Sequence, residues 1–553
     1  MKTKKYLMIL LLLAVGIAHA QTKEYTGTVT DEAGGALPGV NVLEKGSLNG
    51  VVTDFDGNFK IIAGNNAVLV FSYLGFTTLE MPLNGKTPLN IVLKSEAAKL
   101  DEVVLIGYGS QKKKDVTSAI TTVKVGDVSD RPIVNAVEAI TGKAAGVQVS
   151  SSSGTPGGSL SVRVRGIGSP NGGEPLYVVD GTLTSNIKSI DPNNIESMSI
   201  LKDASAAGIY GAAGSTNGVV LITTKKGKKG KPRTEINFYG GMQQIVKKLP
   251  VLNNSQWVDL QTEILGTPPS VPSYYDLVGT NNNWQDLIYR NAAQTSVNAN
   301  TSGGSDTGNY YLGMGYLNQE GIIIGSDFER YSANFNINQD VNDKIKIGGS
   351  VNYNRTNQRT VADNASANFG GVVLSALVTP EYIPVYMPSN APVPGVYGVS
   401  NFYSGENPIS LIYNNDNKTI GNNLLASAYA EIKLPQNFTF KSQLNSVIQN
   451  SKYDYFLDPY SSLNGRSSQG GAESTFFEVF RWQWDNTLNY KKNFGEHSFD
   501  VIVGTSAMDE SISNSRQSGA GFATSAIHTL NAASSDFQIG TQKYEWSTSS
   551  YFG

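Results

Sequence analysis

The chain has 553 residues, no cysteine and a formal net charge of −3 at pH 7. Without thiols there is no disulfide scaffold and no thiolate metal site, and the near-balanced charge gives no electrostatic footprint for nucleic acid. Charged residues make up 16% while Gly (58) and Tyr (27) are abundant, a composition that suits β-structure with many turns, and the length implies several domains.

The first element is a leader. Lys2, Lys4 and Lys5 form a positive start, Tyr6 to Ala18 is apolar, and Ala18-His19-Ala20 is an A-x-A cleavage site, so cleavage is expected between Ala20 and Gln21. The apolar core is too short to cross a bilayer as a helix. No cysteine follows the cut, which excludes a lipoprotein anchor at Gln21. Beyond Ala20 no apolar run is long enough for a transmembrane helix. That leaves a secreted or periplasmic protein, or an outer-membrane β-barrel, which needs no such run.

Residues 21–95 read as a small Ig-like β-sandwich. Short apolar runs at Tyr25–Val29, Val40–Leu43, Phe59–Ile62, Val68–Tyr73 and Leu89–Leu93 alternate with turn clusters. Asp54-Phe55-Asp56-Gly57-Asn58 invites a calcium reading, but the Gly stands fourth rather than sixth and no Glu closes the loop, so a hairpin turn is expected. The linker 96–112 carries Val103-Val104-Leu105-Ile106, a β-strand signal with no obvious sheet. Residues 113–228 form a second compact region, with short strands at Gly146–Val149, Leu160–Arg165, Pro175–Asp180, Met198–Lys202 and Gly218–Thr224. A short helix is expected after Asp203 as N-cap, ended by Gly208 and Gly211. A basic linker, Lys225 to Lys231, follows; a solvated linker is preferred to a nucleic-acid patch.

From 229 to 553 the pattern becomes long and strictly alternating. Tyr331, Ala333, Phe335 and Ile337 oppose Ser332, Asn334, Asn336 and Asn338; Phe480, Trp482, Trp484 and Leu488 oppose Arg481, Gln483, Asp485 and Asn489. Ile345–Asn354, Leu424–Leu434 and Phe438–Ile448 behave likewise. Period two puts each set on one face. The strands reach about ten residues, enough for a tilted bilayer crossing. Tight turns (Asn342-Asp343, Pro435-Gln436) contrast with long connections (roughly 244–294 and 355–420), and aromatics cluster toward strand ends. These features favour a transmembrane antiparallel barrel over a soluble sandwich.

Long motifs then carry a resemblance. "AITGKAAGVQVSSSSGTPGGSLSVRVRGIGSPNGGEPLYVVDG" and "DPNNIESMSILKDASAAGIYGAAGSTNGVVLITTKKGKKG" resemble the plug domain of the SusC/RagA family of TonB-dependent outer-membrane transporters of Bacteroidota; "NNNWQDLIYRNAAQTSVNANTSGGSDTGNYYLGMGYLNQEGIIIGSDFERYSANFNI" resembles the start of their barrel. "GTVTDEAGGALPGVNVLEKGSLNGVVTDFDGNFKI" resembles the carboxypeptidase-regulatory-like domain, which is not catalytic. The resemblance implies a mainly β chain: sandwich, α+β plug, and the first part of a barrel of 22 strands. About ten candidate strands are present and the last residues, WSTSSYFG, read as mid-strand, so the native protein is expected to be about twice as long.

The resemblance also implies roles. Asp101, Glu102, Val103, Val104, Leu105, Ile106 and Gly107 match the acidic-then-β-branched Ton box, a strand offered to TonB as an added edge. Arg163 and Arg165 are expected to face a hydrophilic barrel wall. Implied partners are TonB with its proton-motive-force complex, a SusD-like surface lipoprotein, outer-membrane lipid, and an oligosaccharide substrate with a peptide as second choice; a dimer of transporter–lipoprotein pairs is a further implied arrangement. No cofactor is expected, and calcium in an extracellular loop is left open.

Three other readings compete. An enzyme is disfavoured: the three histidines (His19, His497, His528) are scattered, no HExxH or G-x-S-x-G occurs, and Gly166-Ile167-Gly168 fails the dinucleotide fingerprint at its last position. A signalling receptor of the same class would carry an extra periplasmic domain, for which the sandwich, starting within about five residues of the cut, is expected to leave no room. A non-transporting surface binding protein stays open. Tyr274, Tyr275 and Trp284 lie in a long connection and could stack on sugar rings, although packing is the commoner use of loop aromatics.

Overall fold

The computed structural model describes residues 22–553 apart from 33, 48, 66, 74–75, 84, 86, 95–102, 108, 113–118, 129–132, 152, 169–172, 185–186, 189, 363–370, 401–404 and 496. The leader with its Ala20–Gln21 cut, and Asp101 and Glu102 of the linker, lie outside the described residues. The chain divides into two compact units, residues 1–104 with 111–116, and residues 105–110 with 117–553.

The first unit is a sandwich of two sheets. One has Thr22–Thr30 at its centre, antiparallel to Asn58–Gly64 and parallel to Leu89–Val92. The other runs Gly50–Val52, Asn41–Glu44, Val68–Ser72, Leu79–Pro82. Alternation sends Tyr25, Val29, Phe59, Ile61 and Phe71 inward, where all are buried. Phe59 and Phe71 meet edge to face with centroids 5.3 Å apart. Asp54 closes a turn, its carboxylate accepting from the N–H groups of Asp56 (3.0 Å) and Asn58 (2.8 Å).

In the second unit, residues 120–224 form the plug. Its sheet runs Ile120–Lys124, Ile195–Leu201, Val219–Thr224, Leu176–Val179, Thr182–Thr184, and a separate hairpin pairs Val147–Ser151 with Leu160–Val164. Its core gathers Val162, Ile190, Ile195, Met198, Ile200 and Val220. The helix after Asp203 forms as Ala204–Ala207, with Asp203 at its N-cap position and Gly208 at its C-cap. The Asp203 side chain makes no cap hydrogen bond; its carboxylate accepts from the Ala119 N–H at 2.6 Å and pairs with Arg165. A 3-10 turn, Gly208–Tyr210, follows and ends at Gly211, whose φ of 80° breaks the helical course before a second helix, Gly211–Asn217. A Cβ at Gly214 would stand 2.8 Å from the Ala207 carbonyl and 2.9 Å from Val219, so close packing, not a chain break, is the use of this glycine.

The rest is one antiparallel sheet of ten strands in sequence order: β1 (Gly230–Gln243), β2 (Ala292–Gly304), β3 (Gly308–Glu320), β4 (Asp327–Asp340), β5 (Ile345–Thr360), β6 (Asn415–Leu434), β7 (Phe438–Leu457), β8 (Gly471–Phe494), β9 (His497–Ala520) and β10 (Ser535–Phe552). Connections at one end are short: 305–307, 341–344, 435–437 and 495–496. At the other they include the long segments 244–291 and 361–414, with 458–470 and 521–534. This is the turn-and-loop asymmetry of membrane barrels. No described helix is long and apolar enough to cross a membrane.

Candidate functional site

The alternation of the ten strands has an inverted sense. On β4 the apolar residues are the exposed ones, Tyr331 at 44%, Phe335 at 40% and Ile337 at 42%, while Ser332, Asn334 and Asn336 are buried at 8%, 1% and 4%. β8 repeats this: Phe480, Trp482 and Trp484 face out, Gln483 and Asp485 are buried. In water such a sheet would expose its hydrophobic face at a cost of about 25 cal/mol per Å²; against hydrocarbon the same face is the stable one. Phe438, Tyr490 and Phe499 gather at the short-turn end, with centroids 4.9 and 6.3 Å apart along the row, as an interfacial girdle does. Trp482 and Trp484 instead sit nearer mid-strand.

The buried polar face is covered by the plug, which is held near the long loops by Gln358 Nε2 donating to the Pro156 carbonyl at 2.6 Å and the Gly157 N–H donating to Gln319 Oε1 at 3.3 Å, and further along two lines. On one, Asp191 caps the turn Pro192–Asn194, accepting from the Asn193 N–H at 2.9 Å. The same carboxylate accepts from Ser332 Oγ at 2.8 Å and faces Arg330 at 3.5 Å. Arg330, almost wholly buried, also donates to the Val134 carbonyl at 2.8 Å, and Tyr311 Oη donates to Asn194 Oδ1 at 3.1 Å. On the other line, the plug hairpin turns through Asp180 and Gly181 with φ of 48° and 91°, a two-residue Asp-Gly turn that needs left-handed backbone. Gln443 Nε2 donates to the Asp180 carbonyl at 3.0 Å, and a Cβ at Gly181 would lie 2.8 Å from that nitrogen. Thr182 Oγ1 donates to Asn445 Oδ1 at 3.2 Å. Arg481, paired with Glu510 of β9, donates to the Leu183 carbonyl at 2.8 Å.

The expectation that plug arginines face the wall is thus corrected for Arg165. It is bound within the plug to Asp203, whose carboxyl is held below the usual range chiefly by the Ala119 N–H and then by Arg165. Arg163 is half-buried on Leu160–Val164. The arginines that join plug to wall, Arg330 and Arg481, come from the wall. Buried polar positions on alternating strands mark them as inward-facing, but their partners lie well over a hundred residues away in sequence, so periodicity could not find them.

The long connections hold a hydrophobic cluster of their own. Trp284 is buried and donates Nε1 to the Pro380 carbonyl at 3.1 Å. Tyr275 donates to the Val399 carbonyl at 2.5 Å, and burial pushes its hydroxyl up to about 12. Tyr274 packs edge to face on Tyr275, centroids 4.7 Å apart. Trp284 and Tyr275 are core residues of the loops, and Tyr274, half-buried, packs against that core.

Val103–Ile106 forms a strand, and it is not alone: among the described residues it pairs with Gly109–Lys112 in a two-stranded sheet. Gly107 packs against Ile209 of the plug.

A lipid-suited wall carrying a folded plug on its polar side defines a class, the plugged membrane β-barrel. Comparison with known proteins gives its relatives. The CarboxypepD_reg-like domain model matches residues 25–105 and the TonB-dependent receptor plug domain model matches residues 112–219. The chain is 33% identical over 511 residues to TonB-dependent receptor P3 of Formosa agariphila, covering 91% of this chain and 50% of that protein. It is 32% identical over 537 residues to TonB-dependent receptor SusC of Bacteroides thetaiotaomicron, covering 90% and 52%. Among solved structures it is similar to the RagAB peptide importer in its open-open state, with TM-score 0.69, 25% identity, and coverage of 81% of this chain and 54% of that one. The chain is thus similar over most of its length, at 32–34% identity, to SusC-like TonB-dependent receptors, and it carries a CarboxypepD_reg-like domain and a plug domain. It spans about half the length of the curated relatives it matches.

Proposed function

We propose that the whole protein imports a bulky nutrient across the outer membrane, drawing energy from TonB. The observation that carries this reading is the plug: a folded domain set against a polar wall by hydrogen bonds, preceded in the chain by the strand Val103–Ile106. In this reading Asp101–Gly107 is the Ton box. It lies on the periplasmic side, the hairpin with Gly109–Lys112 opens, and Val103–Ile106 adds as an edge strand to TonB. Backbone hydrogen bonds supply most of the affinity, so side-chain identity at Leu105 matters little. Force on this segment displaces the plug, and translocation involves no covalent chemistry.

An oligosaccharide is the preferred substrate. Once the plug moves, the inner face of β4 and β5 offers Ser332, Asn334, Asn336, Asn352 and Asn354, now buried, amides and a hydroxyl that suit a neutral polyhydroxylated ligand. A peptide is the second reading, favoured by the likeness to a peptide importer. A SusD-like lipoprotein is the proposed lid, and pairs of transporter and lipoprotein are the proposed assembly. Deletion of Asp101–Gly107 from the full-length protein in its native membrane is expected to leave surface ligand binding intact and to stop uptake. Uptake that persisted at the wild-type rate would refute the Ton-box role.

A further inference from the structure

Two connections at the long-loop end, 458–470 between β7 and β8 and 521–534 between β9 and β10, hold a pocket of about 460 Å³ between them, within the range of about 300–1,000 Å³ common for ligand sites. Tyr460, Arg466, Gln469, Phe522 and Ser534 line it. Its frame is fixed by hydrogen bonds. The helix Leu463–Ser468 starts on Ser462, whose Oγ accepts from the Gly465 N–H at 2.8 Å, and it ends at Gln469 with φ of 55°. The second connection is tied to the first: the Phe522 N–H donates to the Gln469 carbonyl at 2.8 Å, and Tyr460 Oη donates to the Ala523 carbonyl at 2.6 Å. Phe522 is buried edge to face on Phe456, with centroids 5.2 Å apart. A ligand entering here meets groups that are already ordered, which lowers the cost of binding.

The pocket carries an unmatched charge. Arg466 stands on the short helix, and its Nη1 is sealed from solvent with no hydrogen-bond partner. Arg290, Arg359 and Arg516, at the same end of the sheet, pair with Glu320, Asp416 and Glu473; among the described residues no carboxylate pairs with Arg466. The acids bound to this loop are engaged by its backbone. Asp458 accepts from the Tyr460 and Ser461 N–H groups, both at 2.9 Å, and Glu406 from those of Leu463 at 3.1 Å and Asn464 at 2.8 Å. A guanidinium donor cut off from water and left without an acceptor is costly, and an entering anion removes that cost. A carboxylate or sulfate matches the fork of the guanidinium. The other lining groups suit a sugar. Tyr460 is 53% exposed, and with its hydroxyl held its ring offers a flat apolar face. Ser534 Oγ donates to the Gly521 carbonyl at 2.6 Å, which leaves its oxygen free to accept from a ligand hydroxyl, and Gln469 adds an amide.

We propose that this loop pocket is a capture site for an acidic sugar unit, whose carboxylate or sulfate ester pairs with Arg466 while its ring lies on Tyr460. The proposal rests on the import reading above and narrows its substrate class from oligosaccharide to acidic oligosaccharide. The amides of the inner wall then serve the neutral units of the same chain, and the loop pocket selects the charged one.

The test uses the full-length protein in its native outer membrane, in cells lacking TonB, so that surface binding is read without uptake. The probes are a pool of fluorescently tagged uronate oligosaccharides beside the same pool methyl-esterified, a tagged sulfated pool beside its desulfated form, and tagged acidic peptides beside their amidated forms. The wild type is expected to bind an acidic sugar pool about tenfold more tightly than its neutral form, and the pool that shows this preference tells carboxylate from sulfate. Arg466→Gln is expected to bring the preference within about twofold while binding of the neutral form is unchanged, which shows that the loops still fold. Arg466→Lys keeps the charge without the fork and is expected to retain a preference of about threefold. Arg359→Gln, outside the pocket, is expected to keep the full preference, which separates a specific pairing from the general field of the loops. Equal binding of each acidic sugar pool and its neutral form by the wild type, or a preference that survives Arg466→Gln, would overturn the site. A preference confined to the peptides would overturn the sugar class. Uptake no faster in cells with TonB than in cells without it would instead overturn the import reading beneath.

Discussion

The sandwich and the ten-stranded wall are written in the same period-two pattern and read it in opposite senses. In the sandwich, Tyr25, Val29, Phe59 and Ile61 point to the core while Lys60 and Asn58 meet water. In the wall, Phe335, Ile337 and Trp484 point outward, and Asn334, Asn336 and Asp485 are the buried residues. The pleat fixes which residues share a face, but only the surroundings decide which face is outside. The difference teaches that alternation reports register, and that strand length and loop asymmetry must supply the solvent.

Mutations can break or sharpen this contrast. The largest effects are expected where each region's buried face is violated. Arg330→Leu strands Asp191 without its cation beneath the plug and should cost about 3–5 kcal/mol, seen as early release of the plug in urea titration of the detergent-solubilised protein. Phe71→Ala in the sandwich should cost a similar amount, about 3–5 kcal/mol, but its unfolding transition should belong to the sandwich alone and leave the wall's heat-modifiable mobility unchanged. A smaller effect discriminates the outer faces. Phe335→Lys should destabilise insertion by about 2–4 kcal/mol, measured by reversible folding into bilayers, whereas Ile62→Lys, exposed on the sandwich, should stay within about 0.5 kcal/mol. Equal penalties at the two positions would remove the contrast.

The smallest effect is one of pH. Asp203 is held ionised by the Ala119 N–H and by Arg165, so its folded pKa lies below its unfolded one. Its contribution is therefore present above the ordinary carboxylate value of about 4 and is lost as pH falls through the folded value. Asp203→Asn should flatten the acid limb of plug stability below about pH 4 in a pH series of denaturant melts; an unchanged limb would show that Asp203 does not contribute.

Much of this organisation was legible in the residues. The wall strands announce themselves by length, because alternation sustained over Asp327–Asp340 or Gly471–Phe494 has no competing period. Short strands were missed where the signal is brief or broken: Gly50–Val52 has three residues, Leu79–Pro82 ends in proline, and Thr182–Thr184 is visible only as the far arm of the Asp180-Gly181 turn. The helix Gly211–Asn217 was hidden by glycines that serve packing. The pairing of Val103–Ile106 with Gly109–Lys112 runs through a Gly-rich stretch that carries little strand propensity. The plug–wall contacts are long-range, and no local pattern ties Asp191 to Arg330 or Leu183 to Arg481.

The central claim is that the apolar face of the wall meets lipid while its polar face holds the plug. Tryptophan fluorescence quenching in bilayers of brominated lipid tests it most directly, using full-length protein and its Trp482→Phe/Trp484→Phe and Trp284→Phe variants. The account predicts that the double variant loses a strongly quenched component, while Trp284→Phe, in the loop core, leaves that component intact. A quenched component that survives loss of Trp482 and Trp484 unchanged would contradict it.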